Sequence, residues 1–187
     1  MYTTGVLRFD YQIAAVAHTR GIVLNIGANE DPAGLRARFG SRVINCDLEL
    51  WDAIMERPNV VDRVFDCTEF PWPFDDDYAE LVVLGDILEH FPYDTIVAVL
   101  REARRVGRSI CVTAPQDPTA DPELYRPGRY NRHVTYVTHE LLMQAFADSG
   151  WTPYHSITAD WGTNPPMKGF CMMGQREPES VGSVITK

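Results

Sequence analysis

The sequence predicts a doubly wound α/β domain with a mostly parallel sheet and helices on both of its faces. Short apolar segments recur along the 187 residues, and segments of helical periodicity separate them. This alternation is typical of βαβ units with right-handed crossovers. Acidic residues also follow nearly every apolar segment, at the positions where parallel strands would end and bind a ligand.

Seven apolar segments are strand candidates. They are residues 22–26, 43–47, 60–65, 80–85, 109–114, 152–159 and 168–174. Four segments with helical patterns are 6–18, 32–39, 93–106 and 138–149. The second helix is expected to have Asp31 as its cap and Pro32 in its first turn, and the fourth to begin after Thr138 and end at Gly150.

The length predicts one domain that spans residues 1–187. Within it we expect an N-terminal helix in residues 1–20 and a flexible tail at 176–187. The proline-rich segment 115–137 is long for a connection inside a compact domain. Loops of this length are usually functional or disordered, so we expect this one to lie over the site.

Composition and charge narrow the class of protein. Hydrophobic residues make up 45% of the chain and charged residues 23%, which is typical of globular domains. No apolar run approaches the roughly 20 residues that span a bilayer, and we see no signal peptide. The net charge of −9 disfavours a nucleic-acid partner. We therefore expect a cytoplasmic protein with a small-molecule substrate and no membrane partner, and a homodimer remains an open alternative.

The four cysteines indicate neither a metal site nor a disulfide. They are far apart and form no C-x-x-C pair, and three lie in apolar, strand-like segments. Buried free thiols are the simplest interpretation. The sequence also contains no H-E-x-x-H motif, so no metal is predicted.

The predicted strand ends place Gly27, Asp47, Asp66 and Asp86 at one edge of the sheet. Asp47 lies twenty residues after Gly27, which is the distance at which an acid binds ribose hydroxyls in nucleotide-binding folds. A site lined by carboxylates would repel a pyrophosphate but suits a cationic sulfonium. A dinucleotide-dependent oxidoreductase is therefore disfavoured, as is also indicated by the missing G-x-G-x-x-G motif.

An ordered series of motifs from about Ile22 to Trp151 resembles the class I S-adenosylmethionine-dependent methyltransferases, specifically the small type-11-like family. The segments are VLNIGAN (23–29), NCDLE (45–49), DCTEFP (66–71), YAELVV (78–83), GDILEH (85–90), LREARRV (100–106) and THEL (138–141), with His133 before the last. The resemblance implies a seven-stranded Rossmann-like sheet with an antiparallel last strand. It also implies S-adenosylmethionine as the cofactor and S-adenosylhomocysteine as the product.

The resemblance implies roles for individual residues. Gly27 would let the backbone approach the methionine part of the cofactor, Asp47 would hold the ribose, and Asp66 with Cys67 would flank the adenine. Asp86 would lie near the cofactor's amino group or the acceptor. The predicted cofactor-binding residues are Asn25, Gly27, Ala28, Asn29, Asp47, Leu48, Asp66, Cys67, Gly85 and Asp86.

The predicted activity is methylation of an oxygen or a nitrogen on a small acceptor. Four residues of the long loop could bind an anionic group of this acceptor: Arg126, Arg129, Tyr130 and Arg132. An acceptor that carries a proton needs a base to take it. The candidates are His133 or Asp86, and less favoured His90.

The glycine-rich turn of the family is altered in this chain. Asn25 stands where the family usually has an acid, and Asn29 and Glu30 stand where it has glycines. An amide carries no charge and should hold the cofactor's ammonium less well. A catalytically weak or inactive binding or regulatory module therefore remains the main alternative, and a nucleic-acid methyltransferase is less favoured.

Overall fold

The computed structural model describes residues 7–29, 31–48, 61–128, 132–160 and 168–176, and it contains a seven-stranded mixed sheet. The strands are β1 (Val23–Ile26), β2 (Val43–Asp47), β3 (Arg63–Val64), β4 (Ala79–Gly85), β5 (Gly107–Gln116), β6 (Trp151–Asp160) and β7 (Lys168–Arg176). The α-helices are α1 (Leu7–Ala17), α2 (Leu35–Phe39), α3 (Tyr93–Val106) and α4 (His139–Ser149).

The strand order is β3-β2-β1-β4-β5-β7-β6. The pairs from β3 to β5 are parallel, and β7 runs antiparallel to both β5 and β6. The chain thus winds outward from β1 in one direction and from β4 in the other. The predicted fold class, with its antiparallel last strand, is confirmed.

Side chains of the central strands alternate between two hydrophobic cores, one on each face of the sheet. Leu24 and Ile26 pack in the core that includes Trp72 and Phe146, whereas Val23 packs in the other core with Leu35. Both faces are therefore covered, which explains why the central strands read as continuous apolar runs in the sequence. The one polar residue of β1 is Asn25.

The bounds of several elements differ from the sequence prediction. Helix α2 begins at Leu35 rather than residue 32, because Gly34 adopts a left-handed conformation (φ 64°, ψ 35°) directly before it. The predicted cap is nevertheless used, since the Asp31 carboxylate accepts hydrogen bonds from the amides of Leu35 and Arg36 at 2.9 and 2.8 Å. Strand β3 is shorter than predicted, and β5 is longer at both ends.

The state of the cysteines and the length of the helices are both predicted from the sequence. All four cysteines are buried and none forms a disulfide. Burial raises the pKa of each thiol, for example that of Cys111, so the reactive thiolate is disfavoured. None of the helices in the described ranges combines the length and the apolarity that crossing a bilayer requires.

The start of α4 provides a test of the fold. The Thr138 hydroxyl accepts a hydrogen bond from the amide of Leu141 at 3.1 Å, as an N-cap does. We expect Thr138→Ala to lower the free energy of unfolding by about 1 kcal/mol in urea denaturation, because this amide loses its partner. Thr138→Ser keeps the hydroxyl and should stay close to wild type. Equal losses in the two variants would show that the cap contributes nothing.

Candidate functional site

A cavity of about 150 Å³ lies at the carboxyl ends of β1 and β4, where the strand order reverses. Such a reversal is the usual ligand-binding position of open α/β sheets. Six of the predicted cofactor-binding residues line it. They are Asn25, Gly27, Ala28, Asn29, Gly85 and Asp86. Helix α1 covers one side of the cavity with Arg8, Phe9 and Gln12.

The turn after β1 brings the backbone to the rim of this cavity. Gly27 has φ 67°, and a Cβ at this position would lie 2.6 Å from Cδ1 of Ile87. The next residue but one, Asn29, also has a positive φ of 49°. Its amide donates to Oδ2 of Asp47 at 2.6 Å. Asparagine tolerates this conformation better than most residues, so the turn forms without the family's further glycines.

Asp47 ties the ends of β1 and β2 together. Its Oδ2 accepts from the amide of Asn29, and its Oδ1 accepts from the amide of Leu48 at 2.7 Å. An ionised carboxylate offers about four lone-pair sites. Asp47 can therefore accept ribose hydroxyls while it holds the turn.

The predicted capping acid Asp31, which also follows the first strand, lines the cavity. Asp31 is 8% exposed, and its Oδ2 lies 3.5 Å from Nδ2 of Asn45. Asn45 accepts in turn from Nδ2 of Asn25 at 3.0 Å. A negative charge thus lies one side chain away from the amide of Asn25, although it comes from a different position of the chain than in the family that the sequence resembles.

Asp86 occupies a strained and well-supported position after β4. Its φ is 55°, which is uncommon for a residue other than glycine and clusters at functional sites. The Thr113 hydroxyl donates to Oδ1 at 3.1 Å, and Gln12 donates to that hydroxyl at 2.8 Å. Nη1 of Arg8 lies 2.9 Å from Oδ2. Sequence reasoning missed Arg8 and Gln12, because an amphipathic helix pattern does not indicate which crevice the helix covers.

The residues predicted to flank adenine lie outside the set that lines the cavity. Oδ1 of Asp66 accepts from both the amide and the hydroxyl of Thr68 at 2.8 Å, which closes a turn. Cys67 is 7% exposed within the core, and its carbonyl accepts from Nε1 of Trp72 at 2.9 Å. The adenine role of Asp66 and Cys67 stays a prediction.

Asp86 and His90 are neighbours in sequence, and His133 lies close to His90 in space. Glu89, which sequence reasoning did not select, lies near both histidines. Glu89, in the short 3-10 turn after β4, is 1% exposed. Its Oε1 lies 3.9 Å from Nε2 of His90 and 3.9 Å from Nε2 of His133. The two imidazole rings have centroids 5.0 Å apart.

Backbone hydrogen bonds dock the long loop against this turn. The carbonyl of Glu89 accepts from the amides of Val134 and Thr135 at 2.8 and 3.1 Å. The Thr135 hydroxyl donates to the carbonyl of Phe91 at 2.7 Å. These contacts place His133 beside Glu89, although the two residues are 44 positions apart in sequence.

Each histidine is held through its Nδ1 atom. Nδ1 of His133 lies 2.6 Å from Oδ2 of Asp117, and Nδ1 of His90 lies 2.9 Å from the carbonyl oxygen of Arg132. When these Nδ1 atoms carry the proton, Nε2 of each ring has a free lone pair 3.9 Å from Oε1 of Glu89.

Burial is the largest single influence on the pKa values of Glu89, His90 and Asp117 in this cluster. It raises the pKa of Glu89, and the negative charge of Asp86 adds to the effect. Burial lowers the pKa of His90, although the hydrogen bond to the carbonyl of Arg132 opposes it. For Asp117, burial raises the pKa, but hydrogen bonds from Thr119 and His133 outweigh it and the net shift is downward.

The predicted acceptor-binding residues are only partly described. Arg126 is exposed, and its Nη1 donates to the carbonyls of Glu123 and Tyr125 at 2.8 and 2.6 Å. Arg132 is exposed as well. Arg129 and Tyr130 lie outside the described residues. An anion site formed by these four residues therefore stays a prediction.

Comparison with solved structures shows the fold class. A S-adenosylmethionine-dependent methyltransferase from Methanosarcina mazei is similar with a TM-score of 0.64 and 14% identity, over 87% of this chain and 96% of that one. The 1,6-didemethyltoxoflavin-N1-methyltransferase of Burkholderia thailandensis has a TM-score of 0.68 and 15% identity, over 93% and 79%. The magnesium protoporphyrin IX methyltransferase of Synechocystis has a TM-score of 0.60 and 14% identity, over 91% of this chain and 82% of that one.

No protein-family model matches the sequence, and the search of curated proteins also found no match. At these identities the structural matches establish the fold alone. The sequence resemblance to class I methyltransferases is confirmed at that level.

Proposed function

We propose that the protein binds S-adenosylmethionine and transfers its methyl group to an oxygen or a nitrogen of a small, anionic acceptor. The observation that carries this proposal is the cavity at the strand-order reversal, where the turn at Gly27 faces Asp31 and Asp86. Carboxylates around a glycine turn suit a sulfonium and an ammonium, whereas they would repel a pyrophosphate. The Burkholderia and Synechocystis proteins of the same fold were solved with bound S-adenosylhomocysteine, which supports this choice of cofactor.

The chemistry requires alignment more than activation. The acceptor atom attacks the methyl carbon, the sulfur–carbon bond breaks, and the sulfur leaves as a neutral thioether with the electron pair. Because the sulfonium is already an activated electrophile, the protein contributes mainly by orienting the reactants. A protonated acceptor must also lose its proton, and Asp86, His133 and His90 are the candidate proton acceptors.

Helix α1 must adjust for a whole cofactor to bind. The cavity of about 150 Å³ is smaller than the roughly 300 Å³ at the lower end of small-molecule sites. Arg8 and Phe9 lie on the side that α1 covers. We infer that their side chains shift when the cofactor binds, and that Gly27, Asp47 and Asp86 keep their positions.

The first experiment is a calorimetric titration of the protein with S-adenosylhomocysteine. We expect saturable binding, and Asp47→Asn should weaken it about tenfold, because a charge-assisted hydrogen bond to the ribose is lost. Asp75→Asn makes the same chemical change at an exposed loop position and should bind like wild type. Equal affinities of the two variants would remove Asp47 from the site.

The altered turn and the small cavity favour one alternative, a binding module without turnover. A second experiment separates it from an enzyme. The protein is incubated with cofactor that carries a tritiated methyl group and with a low-molecular-weight cell extract. Label in an organic product supports the proposal, and cofactor binding without any transfer supports the binding module. Label in an added RNA or DNA fraction would support a nucleic-acid methyltransferase instead.

A further inference from the structure

The buried carboxylate of Glu89 is only partly compensated, by a hydrogen bond from its own backbone amide and by the charge of Arg8. It is 1% exposed, and its Oε2 has no hydrogen-bond donor within the described part of the chain. Its Oε1 is 3.9 Å from the nearest nitrogen of each of two histidines, which is beyond hydrogen-bond length. A buried carboxylate is costly unless a proton or a cation neutralises it.

The histidines are arranged as metal ligands are. Their Nε2 atoms face the same carboxylate, and the three potential ligand atoms lie within 4.8 Å of one another. A transition-metal ion binds nitrogen and oxygen at about 2.0–2.2 Å, so two ligands of one ion are separated by up to roughly 4.4 Å. The two oxygen–nitrogen separations of 3.9 Å lie below this limit.

The contacts behind the histidines match the outer shell of known metal sites. Metal-bound histidines almost always donate their second ring N–H to a carboxylate or to a backbone carbonyl. His133 has the carboxylate of Asp117 at 2.6 Å, and His90 has the carbonyl of Arg132 at 2.9 Å. The two contacts fix the orientation of each imidazole ring, whose Nε2 atom would bind the ion.

We propose that Glu89, His90 and His133 bind one divalent transition-metal ion at the carboxyl end of β4. Two imidazole nitrogens and one carboxylate suit Zn²⁺, Mn²⁺ or Fe²⁺, whereas Mg²⁺ and Ca²⁺ prefer all-oxygen ligands. The carboxylates of Asp86 and Asp117 increase the negative potential around the position. The sequence predicts no metal, because these ligands form no short motif and meet only through the docking of the long loop.

Three protein ligands leave coordination positions for another molecule, as in catalytic metal sites. A hydroxyl or carboxylate oxygen of the acceptor is the ligand class that would complete the shell. This role rests on the proposed function, whereas metal binding itself does not. With His90 and His133 engaged as ligands, neither ring would be available to accept the acceptor's proton.

The test is a titration of the full chain with MnCl₂. The concentration of free Mn²⁺ is measured from its electron paramagnetic resonance signal. The protein carries no histidine tag, has been treated with a chelator, and contains no added cofactor. We expect one Mn²⁺ per chain, with displacement by Zn²⁺ because zinc binds such sites more tightly. Glu89→Gln and His133→Gln should each weaken Mn²⁺ binding at least tenfold, and Asp117→Asn by about tenfold.

His18→Gln provides the matched control, because His18 is exposed at the end of α1 and contacts the carbonyl of Ala14. Circular dichroism shows whether each variant folds, and His133, with a 27% exposed side chain, is the safer of the two ligand changes. Wild-type protein without Mn²⁺ binding at millimolar ion would overturn the inference. Equal affinities of the folded His133→Gln and His18→Gln variants would overturn it as well.

The same preparations are also titrated with S-adenosylhomocysteine, so that the two proposals fail separately. Metal binding without nucleoside binding would contradict the proposed function and leave the metal site intact. Nucleoside binding without metal binding would contradict only the metal site.

Discussion

Replacement of Gly27 by alanine is expected to lower the free energy of unfolding by about 2–5 kcal/mol and to weaken cofactor binding. Gly27 has φ 67°, a conformation that costs an alanine roughly 1–2 kcal/mol. The new Cβ would also lie 2.6 Å from Cδ1 of Ile87, and such overpacking costs roughly 1–3 kcal/mol. The methyl group would stand at the rim of the cavity, where the methionine part of the cofactor is proposed to bind. Urea denaturation and calorimetry measure the two effects.

Gly34→Ala separates the backbone cost from the steric one. Gly34 has nearly the same φ of 64°, but a Cβ there would meet nothing closer than Nε of Arg38 at 3.7 Å. We expect a loss of only about 1–2 kcal/mol in this variant, and no change in cofactor affinity. The double variant with Ile87→Val, which lacks Cδ1, should recover part of the stability of Gly27→Ala. Equal losses for the two glycine variants would show that Ile87 does not constrain the turn.

Local patterns predicted the architecture because each central strand is buried on both faces. The apolar runs at β1, β4 and β5 and the helical spacing of α3 need no knowledge of distant residues. The caps at Asp31 and Thr138 likewise depend only on neighbours in sequence. The start of α2 was predicted three residues early, because the sequence does not reveal that Gly34 would adopt the left-handed conformation before it.

The candidate site was less accessible to sequence reasoning, since it is assembled from distant segments. Gly27 and Asp86 could be selected because they directly follow strands. Arg8 reaches the cavity only because α1 packs over the end of the sheet, and no local pattern states that. Glu89 meets His133 through hydrogen bonds between a short turn and a loop 44 residues later. A fully buried acid beside two histidines becomes evident only once burial is known.

The second large effect concerns Asp86. We expect Asp86→Asn to weaken binding of S-adenosylhomocysteine about 100-fold, because a charge-assisted hydrogen bond to the ligand's ammonium contributes up to roughly 3 kcal/mol. The asparagine keeps an oxygen for the Thr113 hydroxyl, so the turn after β4 should persist. Calorimetry measures the affinity, and urea denaturation checks that the variant is folded. An affinity within threefold of wild type would exclude an ionic role of Asp86 in cofactor binding.

Arg8 and Asp86 present one positive and one negative charge, which are complementary to the carboxylate and the ammonium of an amino acid. The methionine end of the cofactor carries a carboxylate and an ammonium, and Nη1 of Arg8 lies 2.9 Å from Oδ2 of Asp86. When the ligand binds, one ion pair can be exchanged for two, with the carboxylate on Arg8 and the ammonium on Asp86. Arg8→Ala should therefore weaken binding about tenfold, whereas Arg20→Ala, at an exposed position after α1, should not.

The double variant Arg8→Ala with Asp86→Asn decides whether the two side chains act on the ligand together. Because they also interact with each other, their effects on affinity should be non-additive, with a coupling of about 1 kcal/mol. Tighter binding by Arg8→Ala would contradict this account. Arg8 would then compete with the ligand for Asp86, and α1 would act as an obstacle to the cofactor instead of as part of its site.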